Sequence, residues 1–340
     1  MELRTGFVVR PYAPEDEGQV IDLLSLSLGP GPTGARTREF FRWKHFHNPF
    51  GTSLMLVAEL EGTIVGLRAF LRWGFMAAGR WVRGLRAVDT ATHPEHRGQG
   101  VFSSLTKEAL VSARGQADLV FNTPNDRSLA GYLKMGWRVV GRIPVHVRVV
   151  HPLRFVSRLR SLQSAHPTAP TPASTAAPRA SEVLARASGI DSLLQEVTAA
   201  RQDRLTTARD LRYLQWRYGQ VPGLDYRALT CEAGGDVIGL VIFRVRPRGD
   251  LVEATISELV IRPGDRRTAS RLLGSVRAAA NVDHLTARFE PSLEPGMVSF
   301  GFVRAPGGVT LVTNPLNAGL LPEPTDLRSW GLSIGDLEVF

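Results

Sequence analysis

The chain is written twice. Phe41-Arg42-Trp43-Lys44-His45-Phe46-His47-Asn48-Pro49 in the first half is echoed by Leu214-Gln215-Trp216-Arg217-Tyr218-Gly219-Gln220-Val221-Pro222 in the second, and one shift of 173 residues lays Trp43 on Trp216, Pro49 on Pro222 and Gly66 on Gly239. Further along, Pro94 meets Pro263, Gly136-Trp137 meets Gly301-Phe302, and Pro152-Leu153 meets Pro315-Leu316, the register drifting as loop insertions and deletions would make it. Such self-similarity means that one supersecondary unit recurs. The length agrees, because 340 residues at about 150 per domain make two domains. Between the copies, residues 156–181 are rich in Ala, Pro, Ser and Thr and lack helical or strand periodicity, which predicts a mobile linker between domains at 1–155 and 182–340.

Each copy reads as the same mixed unit. In the first, a strand near Val8–Pro11 leads into a helix over Pro14–Leu28, whose acidic Glu15, Asp16 and Glu17 suit the positive end of the dipole. A second helix covers Arg36–Phe46. Strands follow at Leu54–Leu60, Thr63–Phe75 and Trp81–Thr92, then a turn at His93–Gly100 and a helix over Val101–Ala113. A strand at Asp118–Asn122, a short helix over Asn125–Met135 and a long strand from Trp137 toward Val150 complete the unit. Helices inserted around a mixed, mostly antiparallel sheet give an α+β fold, not a doubly wound parallel sheet.

Composition narrows the function classes. The net charge of +9 rests almost wholly on arginine, with Lys44, Lys107 and Lys134 the three lysines, so it is weak grounds for a nucleic-acid partner. Cys231 is the one cysteine, which excludes an intramolecular disulfide and any Cys-based metal cluster. His45 and His47 are two residues apart and face different ways on a helix, so no metal site is expected. No apolar leader and no run long enough to span a bilayer appear, which predicts a cytoplasmic protein without a membrane partner.

The chemistry concentrates in Thr92-His93-Pro94-Glu95-His96-Arg97-Gly98-Gln99-Gly100-Val101-Phe102-Ser103-Ser104-Leu105. A glycine-containing turn between a strand and a helix start can aim several backbone N–H groups at one point, which suits a pyrophosphate. No Gly-Lys-Ser/Thr follows, so a Walker loop is excluded, and the third glycine of a dinucleotide fingerprint is missing. Here the sequence resembles the GNAT N-acetyltransferase superfamily. Arg97-Gly98-Gln99-Gly100-Val101-Phe102 matches its pyrophosphate signature except at Phe102, where Gly or Ala is usual. Asn125 through Trp137 is similar to its Asn…Tyr-x-x-x-Gly-aromatic element, with Tyr132, Gly136 and Trp137 in register.

What the resemblance implies is an acyltransferase that moves acetyl from acetyl-CoA to a small-molecule amine by direct attack. Thr90, Ala91 and Thr92 would pair through their backbone with the pantetheine arm. Gly98, Gln99, Gly100, Val101, Phe102 and Ser103 would supply pyrophosphate donors, with Arg97 contributing to the turn, and Asn125 would hold the pantetheine. Tyr132 matches the tyrosine that protonates the departing thiolate. The base is open: the Glu some members carry is replaced by Val120. Asp89 on the preceding strand is a candidate, although the acid facing it in the second copy, Glu258, argues for a structural role. The terminal carboxylate of Phe340 is another, by analogy with the enhanced-intracellular-survival acetyltransferases, whose tandem arrangement this chain resembles and whose third domain is not expected here. In the second copy Arg266-Arg267-Thr268-Ala269-Ser270-Arg271 stands where the glycine turn would be and Met297 where Tyr132 would be, so this lobe is expected to be degenerate and to help shape the acceptor pocket. Alternatives are another acyl-CoA, a thiol-metabolite or peptidoglycan-related acceptor, or a non-catalytic acyl-CoA sensor.

Overall fold

The computed structural model describes residues 6–31, 36–159, 174–186, 189–200 and 203–338. The first copy runs β1 (Val8–Pro11), α1 (Glu17–Leu28), α2 (Arg38–His45), β2 (Leu54–Leu60), β3 (Thr63–Ala77), β4 (Arg80–Thr92), α3 (Val101–Ala113), β5 (Leu119–Asn122), α4 (Asp126–Lys134), β6 (Arg138–Ile143) and β7 (His146–Val149). A connecting stretch holds α5 (Pro152–Leu159), α6 (Ala180–Ala185), α7 (Ile190–Ala199), β8 (Thr206–Thr207) and α8 (Leu211–Leu214). The second copy follows as β9 (Tyr226–Ala233), β10 (Asp236–Arg248), β11 (Leu251–Ile261), α9 (Arg266–Ala279), β12 (His284–Ala287), α10 (Glu294–Ser299), β13 (Val303–Arg304) and β14 (Val309–Pro315), and α11 (Ile334–Leu337) comes last. The fold is α+β, with two mostly antiparallel sheets flanked by helices.

The repeat is visible in the register. Gly66 on β3 faces Thr92 on β4, and Gly239 on β10 faces Ile261 on β11; each hairpin closes over two residues and each carries a one-residue bulge, between Leu67 and Ala69 in the first and between Ile242 and Phe243 in the second. Both glycines sit under a helix. A Cβ on Gly66 would lie 2.4 Å from Val101 Cγ1, and one on Gly239 would lie 2.5 Å from Thr268 Cγ2, so close helix–sheet packing requires glycine in both copies.

The copies also exchange strands. The first sheet has the order β1-β2-β3-β4-β5-β14-β6, with β8 also paired to β3, and the second has β13-β7-β12-β11-β10-β9. Each copy therefore places its last strand in the other's sheet, and a cut at residues 155 and 182 does not separate the sheets. The long strand expected from Trp137 to Val150 breaks at Pro144, which lacks the N–H that a continuing ladder needs, and the chain crosses to the other sheet. Pro306 stands between β13 and β14 in the same way.

The linker expected over 156–181 differs too. Residues 160–173 lie outside the described residues, but those at 174–181 are docked. Thr175 bridges Ala280, Arg179 bridges Arg227, and Ala177 and Ala180 are buried against the second sheet. Small residues that read as linker composition are what let this segment lie close to the sheet edge. One core packs α3 and α4 on one face of the first sheet, another packs α9 on the second, and a third, holding Trp43, Trp73, Tyr213 and Trp216, joins the lobes.

Candidate active site

β4 and β5 pair in parallel only from Gly84–Arg86 to Leu119–Phe121, and beyond Arg86 and Phe121 they part. The gap opens a cleft of about 720 Å³, lined by Ala87–Thr92 of β4 and Asn122–Asn125 after β5, with Tyr132 of α4 and, beside β4, Ser27, Leu28 and Arg36. Of the residues singled out from sequence, Asp89, Thr90, Ala91, Thr92, Arg97, Phe102, Asn125 and Tyr132 line it. Gly98, Gln99, Gly100, Val101 and Ser103 form or adjoin the turn that joins Arg97 to Phe102 and begins α3.

The turn is built to leave donors free. Gly98 and Gly100 have φ of 78° and 84°, a region that glycine enters at little cost. Ser104 N donates to Gly100 O at 2.9 Å, the first bond of α3, so the N–H groups of Val101, Phe102 and Ser103 have no acceptor within the helix. Only the backbone of Val101 can serve there, since its side chain is in the core. The Phe102 ring turns away from the turn and lies under α4, edge-on to Tyr132 at 5.8 Å between centroids and against Gly131, so the departure from the family signature leaves the amides open. Asn125 caps α4 through Oδ1, which accepts from Ser128 N at 3.0 Å.

Tyr132 is 3 % exposed, its ring also edge-on to Trp137 at 4.8 Å. Its Oη accepts from Arg68 Nη1 at 2.9 Å, and the same nitrogen donates to Thr90 Oγ1. Arg68, on β3, is fully buried, with its guanidinium 4.8 Å from the Phe70 ring centroid.

Asp89 occupies the β4 bulge with φ 41°. Its carboxylate is 2.7 Å from Lys44 Nζ, accepts from His45 Nε2 at 2.9 Å, and lies 3.8 Å from Arg36 Nη1. Burial disfavours the charged carboxyl, but the Lys44 ammonium and then the His45 ring outweigh it and hold Asp89 well below the usual carboxylate range. Burial likewise pushes Lys44 and His45 down, against the pull of Asp89. His45 Nδ1 meets Ser53 Oγ at 2.9 Å, so a neutral ring protonated at Nε2 satisfies both contacts. The second copy repeats the arrangement with other residues: Tyr218 Oη donates to Glu258 Oε1 at 2.7 Å and Arg209 Nε to Oε2 at 2.9 Å.

The corresponding gap between β11 and β12 is filled by the chain itself. Arg288 donates to the carbonyls of Leu332 and Trp330, α11 lies against β11, and a cavity of about 60 Å³ remains. The end of this segment reaches the first lobe, where Arg86 donates to the carbonyls of Asp336 and Leu337. Phe340 lies outside the described residues. The described residues lining the 720 Å³ cleft all come from Ser27 to Tyr132.

Arg68, Lys44, His45 and Arg86 were not singled out as site residues from sequence. The repeat held a signal for two of them: it lays Lys44-His45 on Arg217-Tyr218 and Asp89 on Glu258, so a partnered acid recurs in both copies. Arg68 carried none, because one arginine in a hydrophobic strand of an arginine-rich chain has no distinguishing neighbour. Among the described residues, no three His, Cys, Asp or Glu side chains cluster as a metal site would, and no helix is long and apolar enough to cross a membrane.

Comparison with known proteins agrees with this geometry. Residues 8–140 match the family model of the acetyltransferase (GNAT) domain. No curated protein matches the sequence. Solved structures with a similar fold include a GCN5-related N-acetyltransferase from Anabaena variabilis (TM-score 0.65, 16 % identity, 92 % of this chain and 73 % of that one). A conserved protein of unknown function from Enterococcus faecalis V583 gives 0.64, 14 %, 92 % and 73 %. Eis1 from Mycobacterium abscessus gives 0.56, 13 %, 91 % and 73 %. Residues 8–140 thus match an acetyltransferase (GNAT) domain, in a chain whose fold is similar to that of these solved structures.

Proposed function

We propose that the first lobe transfers an acetyl group from acetyl-CoA to a small-molecule amine. The observation that carries this reading is the meeting of Thr90, Arg68 and Tyr132 Oη where β4 and β5 part, at the end of a cleft that starts from a turn with free amides. The backbone of Thr90–Thr92 would hold the pantetheine arm, the amides from Gly98 to Ser103 the pyrophosphate, and Asn125 the edge of the arm. The amine nitrogen attacks the thioester carbonyl, the C–N bond forms, and the C–S bond breaks with its electron pair on sulfur. Tyr132 gives that sulfur its proton, and the proton released by the amine returns to solvent and so to the phenol.

Asp89 is the one carboxylate among the described residues lining the cleft, and one held ionised by Lys44 accepts protons weakly. It orients the bulge, and the amine enters in its neutral form. The second lobe, its own gap filled, supports the first through strand exchange. The test is coenzyme A release by the purified protein over amines, aminoglycosides, amino acids and peptides, run with acetyl-CoA and longer acyl-CoAs. Release that depends on an amine supports transfer; tight acetyl-CoA binding without turnover on any acceptor supports a sensor.

A further inference from the structure

Arg68 is a fully buried guanidinium with no carboxylate at ion-pair distance among the described residues, and its Nε and Nη2 have no hydrogen-bond partner. A chain that only needed to fold would not keep such a group, because burying an unpaired charge is costly. The second copy shows what the fold itself requires. Matched strand registers and the matched turn before Trp137 and Phe302 place Val241 where Arg68 stands, Leu259 where Thr90 stands and Met297 where Tyr132 stands. Three residues joined by hydrogen bonds in one lobe are three apolar residues in the other. By contrast Gly66 and Gly239, Trp43 and Trp216, and the partnered acids Asp89 and Glu258 are retained in kind across both. What the fold needs is common to the copies, and the Arg68–Thr90–Tyr132 group belongs to the lobe with the open cleft.

We infer that Arg68 is a positioning residue for Tyr132, an assignment that rests on the acid role proposed above. By donating Nη1–H to Tyr132 Oη, it occupies a lone pair of the phenol and turns the O–H proton outward, to the cleft. When the C–S bond breaks and sulfur takes that proton, the oxygen left behind is negative, and the adjacent buried cation stabilises it. The bond to Thr90 ties the same guanidinium to the strand edge along which the thioester would lie, so proton donor and acyl group are held by one side chain.

The test is a double-mutant cycle on the whole chain, with Arg68→Met, Tyr132→Phe and both together, reading kcat, KM for acetyl-CoA, acetyl-CoA affinity by calorimetry, and thermal melting. Arg68→Met is expected to lower kcat about tenfold or more with KM for acetyl-CoA nearly unchanged, and to cost under about twofold once Tyr132→Phe is present, as two residues acting as a unit do. If Arg68→Met does not fold, Arg68→Lys goes through the same cycle, and its loss of kcat is likewise expected to vanish in the Tyr132→Phe background. Multiplicative losses, or a loss carried by KM, overturn the positioning role while leaving the acid role intact. Unchanged turnover in Tyr132→Phe alone overturns both.

Discussion

Trp43 and Trp216 exchange hydrogen bonds. The indole Nε1 of Trp43 donates to the carbonyl of Trp216 at 2.8 Å, that of Trp216 donates to the carbonyl of Trp43 at 3.0 Å, and the rings stack at 5.0 Å and 19°. Residues 173 apart in sequence thus meet each other, as equivalent residues do across a two-fold axis. The repeat that is visible as spacing is, in space, an interface in which each copy satisfies its partner's buried indole and carbonyl. Trp43→Ala should cost about 3–5 kcal/mol by emptying the inter-lobe core. Urea unfolding checks this, and Trp43→Ala combined with Trp216→Ala should cost clearly less than the two single losses added.

Asp89 should behave as a structural acid. Asp89→Asn removes the carboxylate charge 2.7 Å from the buried Lys44 ammonium, for an expected loss of about 3–5 kcal/mol measured by thermal or urea unfolding. If Asp89 were the general base, the variant would keep its stability and lose its rate.

The same group sets the acid limb of stability. Asp89 and His45 both titrate lower in the folded chain than they would unfolded, so the unfolded chain binds more protons. Their contribution is complete above about pH 6.5, declines as the pH falls through the range of an unfolded histidine, and falls further below about pH 4 as unfolded carboxylates take up protons. Melting temperature against pH should show this fall, and Asp89→Asn should flatten its lower part.

Much of this was legible in advance. Helix and strand order in the first lobe, the glycine turn and Tyr132 follow from periodicity and from two local motifs, because those features depend on neighbours in sequence. The strand exchange was not, since nothing local at Pro144 says which sheet the next strand joins. Nor was the filling of the second gap by Trp330–Leu337, or the burial of Lys44 against Asp89, both of which depend on contacts between residues distant in the chain.

The turn should act on cofactor binding. Gly100→Ala forces a residue with a Cβ into φ 84° at the start of α3, where the amides must keep their direction. KM for acetyl-CoA should rise roughly tenfold, about 1.4 kcal/mol, with kcat little changed.

The proposed acid step passes a proton from Tyr132 to the leaving thiolate of coenzyme A. It is tested most directly by coenzyme A release from acetyl-CoA by Tyr132→Phe, on whichever amine the intact protein accepts, with acetyl-CoA affinity measured alongside. A fall in kcat of about a hundredfold or more with affinity retained is expected. A kcat equal to that of the intact protein would contradict it.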